Sequence, residues 1–306
     1  MNQSKSPGHF KSGFAAVVGR PNVGKSTLIN AFMGQKIAAV SPKPQTTRLN
    51  QLGILTDENA QIVFVDTPGI HKSKHALGEG MNAEAKDALK DADVVLWLVD
   101  ISENPHAEDR IISERLVGVQ EVIQVLNKVD LIKDVDVMAR RQILFQKLLP
   151  SVEQIMISAM EGAGFEALRA GILAYLPEGP PYYPEDQITD IYEREIAADL
   201  IREAALNNLH DEIPHAIAVR IDEYKERDQT GAFIAATIFL ERESQKGIVI
   251  GKKGAKLKAI GTAARKAIEA MSGRKVFLDL RVKVKKNWRT DPVFLKQMGY
   301  SKFGKD

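Results

Sequence analysis

The stretch Gly19-Arg20-Pro21-Asn22-Val23-Gly24-Lys25-Ser26 decides the fold of this 306-residue chain. It has the Gly-x-x-x-x-Gly-Lys-Ser spacing of a P-loop. The apolar run 14–18 before it predicts a buried strand, and residues 27–33 predict a helix that begins directly from the loop. Glycines let successive N–H groups converge on a phosphate, and the helix adds the positive end of its dipole. We therefore expect Lys25 to reach the β- and γ-phosphates of a nucleotide and the Ser26 hydroxyl to bind Mg²⁺. The nucleotide-contacting residues predicted here are Gly19, Arg20, Pro21, Asn22, Val23, Gly24, Lys25, Ser26 and Thr27.

A second motif, Asp66-Thr67-Pro68-Gly69, follows the apolar segment 61–65, which predicts another strand. An aspartate at the carboxyl end of a buried strand is well placed to hold the water shell of Mg²⁺. The backbone N–H of Gly69 can bind a γ-phosphate and let go once that phosphate leaves, which is how a switch behaves. The polar segments 37–50 and 70–80 are predicted to be the two mobile switch loops.

The tetrapeptide Asn127-Lys128-Val129-Asp130 ends a further predicted strand. The carboxylate of Asp130 can accept hydrogen bonds from N1–H and the 2-amino group of guanine, whereas adenine has an acceptor at N1 and no 2-amino group. A buried mismatch of this kind discriminates by roughly 10⁴-fold or more. The stem of Lys128 can lie along the base, and the backbone of the stretch Ser158-Ala159-Met160, chiefly Ser158 and Ala159, can touch the base oxygen. Because ligands bind at strand ends in open α/β sheets, these motifs predict a GTPase domain with a mostly parallel sheet.

Composition and charge narrow the possible partners. The chain has no cysteine, which excludes disulfides and cysteine-based zinc sites. No apolar run approaches the roughly 18 residues of a membrane span, and residues 1–13 lack the apolar core of a secretory signal, so a cytoplasmic protein is expected. Residues 246–305 carry 17 Lys and Arg against three acids, a net charge of +14 in a chain of net charge +2. This basic region favours a polyanionic partner, with a solvated charged surface as the alternative.

A proline-rich segment separates the two halves of the sequence. Four prolines between Pro177 and Pro184 predict a stiff, extended linker. We therefore predict a nucleotide-binding domain at 1–180, a linker at 181–190 and a second domain at 191–306. The second domain shows the order helix, strand, strand, helix, helix, strand.

The stretch Ile250-Gly251-Lys252-Lys253-Gly254 has the Ile-Gly-x-x-Gly signature of a KH domain. In such domains a loop between two helices clamps about four nucleotides of single-stranded backbone. Glycines permit close approach of a phosphate, and neighbouring apolar side chains such as Ile248 and Ile250 can line the groove for the bases. With the element order, this predicts a smaller α+β domain of the type II KH form. The RNA-binding residues predicted are Ile248, Val249, Ile250, Gly251, Lys252, Lys253, Gly254, Lys256 and Lys258.

Over both halves the sequence resembles the Era family of bacterial GTPases with a C-terminal KH domain. The resemblance is carried by Gly19–Ser26, Thr46-Thr47-Arg48, Asp66–Gly69, Asn127–Asp130, the stretch Pro-Glu-Gly-Pro-Pro-Tyr-Tyr-Pro-Glu-Asp at 177–186, and Gly251–Gly254. It implies a Ras-like fold, binding of Mg²⁺ and GTP, and hydrolysis to GDP. It also implies binding to the 3′ end of 16S ribosomal RNA during assembly of the 30S subunit. By the same resemblance, Thr47 is the Mg²⁺ ligand from the first switch loop, with Thr46 as the alternative.

Ile70 occupies the position where Ras-like proteins carry the glutamine that orients the attacking water. Slow intrinsic hydrolysis is therefore expected, unless another group organises the water. The side-chain oxygen of Asn22 can help to hold a K⁺ ion that neutralises developing charge; the alternative is that Asn22 only ties up the loop backbone. The residues expected to act on the γ-phosphate are Lys25, Thr47, Gly69 and Asn22. The expected Mg²⁺ ligands are Ser26, Thr47 and, through water, Asp66.

Together these features predict a nucleotide-gated RNA clamp. Two alternatives stay open: an RNA-binding chaperone with incidental GTP turnover, and a membrane-surface GTPase whose basic face meets anionic lipid. The family resemblance also implies peripheral association with the inner face of the cell membrane, and a monomer is expected. Whether the basic stretch from Lys283 to Arg289 contacts RNA is not decided by the sequence.

Overall fold

The computed structural model describes residues 10–41, 48–69, 76–190, 192–209, 213–227 and 231–300. These residues form two compact units. The first unit contains 10–34, 48–69 and 81–190, and the second contains 35–41, 76–80 and the described residues from 192 onward. Within these ranges no helix is long and apolar enough to cross a membrane.

The first unit is an α/β fold, as predicted. Its elements are β1 (Lys11–Val18), α1 (Lys25–Met33), β2 (Gln51–Thr56), β3 (Ala60–Asp66), α2 (Ala76–Asp91, of which 81–91 belong to this unit), β4 (Val94–Asp100), α3 (Ala107–Leu116), β5 (Val122–Asn127), α4 (Val135–Gln146), β6 (Glu153–Met156) and α5 (Phe165–Tyr175). The strands form one sheet in the order β2-β3-β1-β4-β5-β6. Of the strands in the described part of this unit, only β2 runs antiparallel to its neighbour.

Helices cover both faces of this sheet, which explains why its strands are continuous apolar runs. All seven residues of β4 are buried, including Trp97, as is typical of a central parallel strand. Helices α2, α3 and α4 pack on one face. On the other, Phe32 of α1 stacks on Phe64 of β3 and on Phe165 of α5, with ring centroids 5.0 and 4.6 Å apart. The carboxyl ends of β1, β3, β4 and β5 therefore meet at one edge, where the sequence motifs lie.

Two helices of this unit differ from the sequence prediction. Helix α4 has no predicted counterpart, because its apolar residues do not form a strong stripe: Ile143 is 56% exposed, and only Phe145 is fully buried. Helix α2 begins at Ala76, so residues 76–80, predicted as part of the second switch loop, are helical.

Residues 181–190 belong to the first unit instead of forming a separate linker. Their prolines prevent regular structure, but their remaining backbone groups pair with the first unit. The N–H groups of Tyr182 and Tyr183 donate to Oε1 of buried Gln61 at 2.7 and 3.0 Å. The N–H of Ile54, on the edge strand β2, donates to the carbonyl oxygen of Ile188 at 2.8 Å. The extended segment 181–190 thus forms a hydrogen bond with the edge strand β2, whose outer backbone groups have no neighbouring strand in the part of the sheet that the structure describes.

The second unit is a smaller α+β fold. Its elements are α6 (Glu193–Asn208), β7 (Ala218–Arg227), β8 (Gly231–Leu240), α7 (Glu243–Ile250), α8 (Ala255–Ser272), β9 (Lys275–Val284) and α9 (Pro292–Gln297). The sheet order is β7-β8-β9, with β7 antiparallel and β9 parallel to β8. Helices α6 and α8 pack on one face. The order of α6 to β9 confirms the predicted succession of helices and strands, while α9 is an addition.

The stretch that directly follows α1 in the chain also belongs to the second unit. Lys36 Nζ lies 2.6 Å from Glu203 Oε1 on α6, and the N–H of Val40 donates to the other oxygen of Glu203 at 3.1 Å. The Ser41 hydroxyl donates to Asn207 Oδ1 at 2.8 Å. The beginning of the predicted first switch loop is therefore bound to α6.

Candidate functional site

The P-loop connects β1 to α1, and two of its glycines have no room for a side chain. Gly24 has φ +102°, and a Cβ atom there would lie 2.4 Å from Asn127 Nδ2. A Cβ atom at Gly19 would lie 2.4 Å from the carbonyl oxygen of Leu98. Only glycine permits this tight backbone path, which suits a loop that wraps an anion.

Lys25 begins α1 and is buried. Its Nζ donates to the carbonyl oxygens of Gly19 and Arg20, both at 3.1 Å, so the ammonium group lies over the loop. Burial lowers the pKa of Lys25 to about 8, against the opposing effect of Asp66. A phosphate in the loop would favour the protonated form again.

Ser26 and Asp66 are far apart in sequence and meet in the fold. The Ser26 hydroxyl donates to Asp66 Oδ2 at 2.7 Å, and Asp66 is fully buried at the end of β3. Hydroxyl and carboxylate oxygens are ligands that suit Mg²⁺, which usually binds few protein groups and completes its shell with phosphates and water. In the described part of the chain, no group of three or more His, Asp or Glu side chains could hold a metal alone. The residues present therefore fit a Mg²⁺ ion shared with a nucleotide.

The segment after β3 lies directly against the P-loop. The Thr67 hydroxyl donates to the carbonyl oxygen of Val17 at 2.7 Å. Pro68, the residue between Thr67 and Gly69, is buried. A Cβ atom at Gly69 would lie 2.9 Å from the backbone nitrogen of Pro21. The N–H of Gly69 is thus close to the loop whose phosphate it is predicted to sense.

Asn127 joins three loops of the site. Its Nδ2 donates to the carbonyl oxygen of Val23 at 2.7 Å, and its Oδ1 accepts from the N–H of Ala159 at 2.9 Å. Since Asn127 is 2% exposed, it positions the P-loop and the Ser158-Ala159 backbone relative to each other. Ser158 is fully buried, and its hydroxyl oxygen accepts from the N–H of Glu161 at 3.1 Å.

The rest of the Asn127–Asp130 tetrapeptide, the base motif, turns sharply after β5. Lys128 has φ +71°, and Val129 and Asp130 form a short 3₁₀ turn. Val129 N–H donates to the carbonyl oxygen of Ile157 at 3.3 Å. Asp130 is half-buried, as a group that binds a ligand edge requires.

Asp100 and Asp109 are site residues that the sequence analysis missed. Asp100 Oδ2 lies 2.6 Å from Lys128 Nζ and 3.8 Å from the guanidinium of Arg20. Buried Asp109 lies 3.4 Å from Arg20 Nε. Burial acts to raise the pKa of Asp100, but hydrogen bonds from Lys128 and Ser102 outweigh it and hold that pKa below its usual value. Burial raises the pKa of Asp109.

These contacts link the P-loop to the base motif. They also direct the Arg20 side chain toward acids, which leaves its backbone for the predicted nucleotide contact. A signal was available in the sequence, because Asp100 directly follows the continuous apolar run 94–99, which is typical of a buried strand.

Several predicted residues contribute less to this geometry or lie beyond it. Asn22 is exposed with φ +66°, and Thr27 is half-buried in the first turn of α1. Thr46, Thr47 and Ile70 lie outside the described residues, so the roles of Thr47 and Ile70 stay predictions.

In the second unit, the Gly251-Lys252-Lys253-Gly254 loop joins α7 to α8, as predicted. Both lysines are exposed. Three of the four residues have positive φ: Gly251 (+72°), Lys253 (+52°) and Gly254 (+79°). A Cβ atom at Gly251 would lie 2.7 Å from Lys256 Cβ, which places Lys256 beside the loop.

The apolar residues of the predicted RNA surface differ in their exposure. Residues 247–250 are the last turn of α7, and a helix cannot present consecutive side chains to one groove. Val249 is 0% exposed and packs in the core of the second unit, so its side chain is turned away from the surface, and its place in the RNA-binding stretch stays a prediction that concerns its backbone. Ile248 is 52% exposed and Ile250 is half-buried. Lys258 is exposed but lies two residues after Lys256, on a different side of α8.

Known proteins resemble this chain over nearly its whole length. The profile described as "50S ribosome-binding GTPase" matches residues 14–128, and the one described as "KH domain" matches 212–289. GTPase Era of Clostridium botulinum (strain Langeland / NCTC 10281 / Type F) is 48% identical over 294 residues, which are 96% of this chain and 99% of that protein. GTPase Era of Alkaliphilus metalliredigens (strain QYMF) is 47% identical over 298 residues, covering 95% and 99%.

Two solved structures share the complete fold. One is Era in complex with MgGDPNP and nucleotides 1506–1542 of 16S ribosomal RNA, with a TM-score of 0.91 and 42% identity. The other is an Aquifex aeolicus Era variant bound to GDP·AlF4⁻, with a TM-score of 0.90 and 41% identity. Each match covers 95% of this chain and 99% of the other.

Fold and site together define a P-loop protein of the guanine-nucleotide-binding kind that carries a KH domain. The matches extend over both units. The chain belongs to the Era family of GTPases.

Proposed function

We propose that this protein hydrolyses GTP to GDP with Mg²⁺, binds the 3′ end of 16S ribosomal RNA and assists assembly of the 30S subunit. The observation that carries the proposal is the convergence of Lys25, the Ser26–Asp66 pair and Asn127 at one edge of the sheet. Membership of the Era family supports the hydrolase activity. One profile description names the 50S subunit, but the RNA held by the full-length relative is 16S, which favours the small subunit.

The phosphate end of the site has the groups that GTP hydrolysis needs. Backbone N–H groups of the P-loop and the ammonium of Lys25 bind the phosphates, and Ser26 and Asp66 hold Mg²⁺, Asp66 through water. Bound Mg²⁺ neutralises charge that develops on the phosphate oxygens. Gly69 contacts the γ-phosphate through its N–H. Since Ile70 offers no group to orient water, intrinsic hydrolysis is slow, and a K⁺ ion held with the help of Asn22 is the proposed supplement.

The base end selects guanine. Asp130 accepts from the N1–H and 2-amino groups, while Lys128, held by Asp100, lies along the base. Ala159, fixed by Asn127, presents its backbone to the base oxygen.

The second unit supplies the RNA contact. Lys252 and Lys253 are exposed on a loop whose glycines allow a phosphate to approach the backbone. Ile248 is exposed one turn earlier and can contact a base. A relative of the same architecture holds 16S nucleotides 1506–1542, which supports this assignment.

Nucleotide state and RNA affinity are coupled in our proposal. The supporting observation is that the stretch after α1, which leads into the first switch loop, is bound to Glu203 and Asn207 of α6 in the second unit. The same chain segment is thus continuous with the phosphate-binding residues of α1 and attached to the RNA-binding unit. Coupling requires that RNA affinity differ between the GTP and GDP forms.

The test measures binding of a fluorescent RNA with the sequence of nucleotides 1506–1542 to protein loaded with GDP or a non-hydrolysable GTP analogue. The analogue form should bind more tightly. Gly251→Asp should abolish binding, and Lys252→Ala with Lys253→Ala, which adds no backbone strain, should weaken it in both states. Equal affinity in the two nucleotide states would leave an RNA-binding chaperone with incidental turnover. Failure of wild type to bind would refute the RNA function.

A second pair of variants tests the coupling directly. Glu203→Gln removes the ion pair with Lys36 and should reduce the affinity difference between the nucleotide states. Glu195→Gln makes the same change at an exposed position of α6 and should leave that difference intact. Identical behaviour of the two variants would refute the role assigned to Glu203.

Localisation in the cytoplasm with peripheral association to the inner face of the cell membrane is a further part of the proposal, supported by the family resemblance. The test is co-sedimentation with vesicles of anionic lipid. Gly251→Asp should leave lipid binding nearly unchanged. Lipid binding without RNA binding would favour the membrane-surface GTPase.

A further inference from the structure

The open face of the three-stranded sheet in the second unit carries an aromatic pair that the proposed function does not use. Phe277 of β9 and Phe233 of β8 are direct partners in the strand register. Their rings are stacked, with centroids 5.8 Å apart and planes inclined by 16°. Phe277 is 65% exposed, which is a large apolar surface to leave in water.

The alternation along β9 shows that this exposure is a property of one face. Leu278, Leu280 and Val282 pack against the core shared with α6 and α8. Their odd-numbered neighbours, from 275 to 283, therefore lie on the opposite face of the sheet.

Among the described residues, the chain covers that face at only one end. Phe239 of β8 contacts Phe294 of α9, with ring centroids 5.0 Å apart, and is 7% exposed. Phe277 lies at the other end of the same face and remains open. The protein thus buries one aromatic side chain of this face and presents another.

Charges on this face favour a polyanion. Among the side chains that the structure describes, the cations of this face are Arg220, Lys225, Lys275, Arg281 and Lys283, and its acids are Asp222, Glu223 and Asp279. Each acid forms an ion pair with a cation of its own strand: Asp222 with Arg220, Glu223 with Lys225 and Asp279 with Arg281. Lys275 and Lys283 form no ion pair within 4.0 Å in the described ranges. Burial acts to raise the pKa of Asp222, but hydrogen bonds from Thr237 and Arg220 outweigh it, and the charge of Lys283 adds a smaller lowering effect. Two lysines are therefore available for phosphates on either side of the aromatic pair along β9.

We propose that this sheet face is a second binding surface for single-stranded RNA, on which a base stacks on Phe277 and phosphates contact Lys275 and Lys283. The proposal rests on the proposed RNA function and extends it, because a KH loop clamps only about four nucleotides and a longer strand must lie elsewhere. An aromatic side chain on an open sheet, surrounded by cations, is a platform on which any base can stack. A protein partner would require a wider apolar surface than one phenylalanine pair offers.

The experiment compares two fluorescent single-stranded RNAs on the full chain: one of about 5 nucleotides, which fills only the loop, and one of about 14 nucleotides. Phe277→Ala should weaken binding of the longer RNA by about 5- to 100-fold, from the usual effect of losing one aromatic stack. The shorter RNA should bind as to wild type. Phe277→Trp should retain the affinity for the longer RNA.

Tyr192→Ala is the matched control, because Tyr192 is 79% exposed in the same unit and lies on the segment that begins α6. It should change neither affinity. Unchanged binding of the longer RNA to Phe277→Ala would overturn the proposal while leaving the proposed RNA function intact. Equal weakening for both RNAs would also overturn it, because the substitution would then act through the KH loop. If wild type binds neither RNA, the RNA function itself fails.

Ultraviolet cross-linking gives an independent measurement that does not depend on a variant. Peptides linked to the longer RNA should include residues 275–281 as well as the loop at 251–254. Cross-links confined to the loop would contradict a second surface.

Discussion

The ion pair between Asp100 and Lys128 provides the sharpest test of how this site is built. We predict that Asp100→Asn lowers the affinity for GDP and GTP by about 5- to 30-fold while leaving the preference for guanine over adenine intact. The carboxylate is 4% exposed and lies 2.6 Å from an ammonium that is 29% exposed. Asn keeps the size of the side chain and removes its charge.

The expected loss of affinity follows from the burial of this ion pair, which is intermediate between that of an exposed pair and that of a fully buried pair. At 2.6 Å the attraction is about 6 kcal/mol with an effective dielectric constant of about 20, but desolvation offsets most of it. Exposed pairs contribute about 0–1 kcal/mol, and breaking a fully buried pair costs about 3–5 kcal/mol. Since Lys128 is partly exposed, we expect about 1–2 kcal/mol, which corresponds to the stated loss of affinity. Guanine selection should persist because Asp130, the residue proposed to bind the base, is unchanged.

The assay is displacement of a fluorescent guanine nucleotide, with ATP as the competitor that reports base selection. Asp93→Asn is the matched control: Asp93 precedes the other end of the same strand and accepts from the N–H of Phe14 at 2.7 Å. It should lower stability without a selective loss of nucleotide affinity. Wild-type affinity in Asp100→Asn, or an equal loss in Asp93→Asn, would refute the role assigned to the ion pair.

Three further variants or conditions test the site and its support. Gly24→Ala should abolish nucleotide binding, because its Cβ would lie 2.4 Å from a neighbouring amide nitrogen; Gly34→Ala, with φ +64° and open space, should only lower the free energy of unfolding by about 1 kcal/mol. Lys25, with its pKa lowered to about 8, is about half deprotonated at that pH and should regain its proton when phosphates bind. Calorimetry in buffers of different ionisation enthalpy should then show uptake of about half a proton at pH 8 and almost none near pH 6.5; a binding enthalpy independent of the buffer would contradict this. Val249→Ala should destabilise the second unit by about 2 kcal/mol in chemical denaturation, whereas Ile248→Ala should cost less than about 0.5 kcal/mol and weaken RNA binding; similar stability losses would contradict the burial difference.

Much of the fold could be predicted because its signals are local. The P-loop motif predicts a strand, a loop and a helix within about 20 residues. The structure has the strand at Lys11–Val18 and the helix at Lys25–Met33, with the loop between them. Helix α4 was not predicted, because its apolar side chains are shared between solvent and the sheet.

In the KH half, the sequence placed the Gly-Lys-Lys-Gly loop between two helices but could not tell which apolar neighbour faces outward. Ile248 and Val249 are both β-branched apolar residues, and they are neighbours in the sequence. Only the orientation of α7 on the core makes one 52% exposed and the other fully buried.

The sequence by itself determined the class of chemistry: which residue types stand at the strand ends, in what order, and on which half of the chain the basic charge lies. Tertiary structure alone decided which of those residues meet. Asn127 reaches Val23 across 104 positions of sequence, and Lys128 reaches Asp100 across 28, because β5 lies beside β4 and β4 beside β1. Periodicity and motif spacing describe neighbours along the chain, whereas the order of strands in a sheet is set by packing of the whole domain. The contacts that hold the nucleotide site together, and the open aromatic face at Phe277, therefore could be identified only from the folded structure.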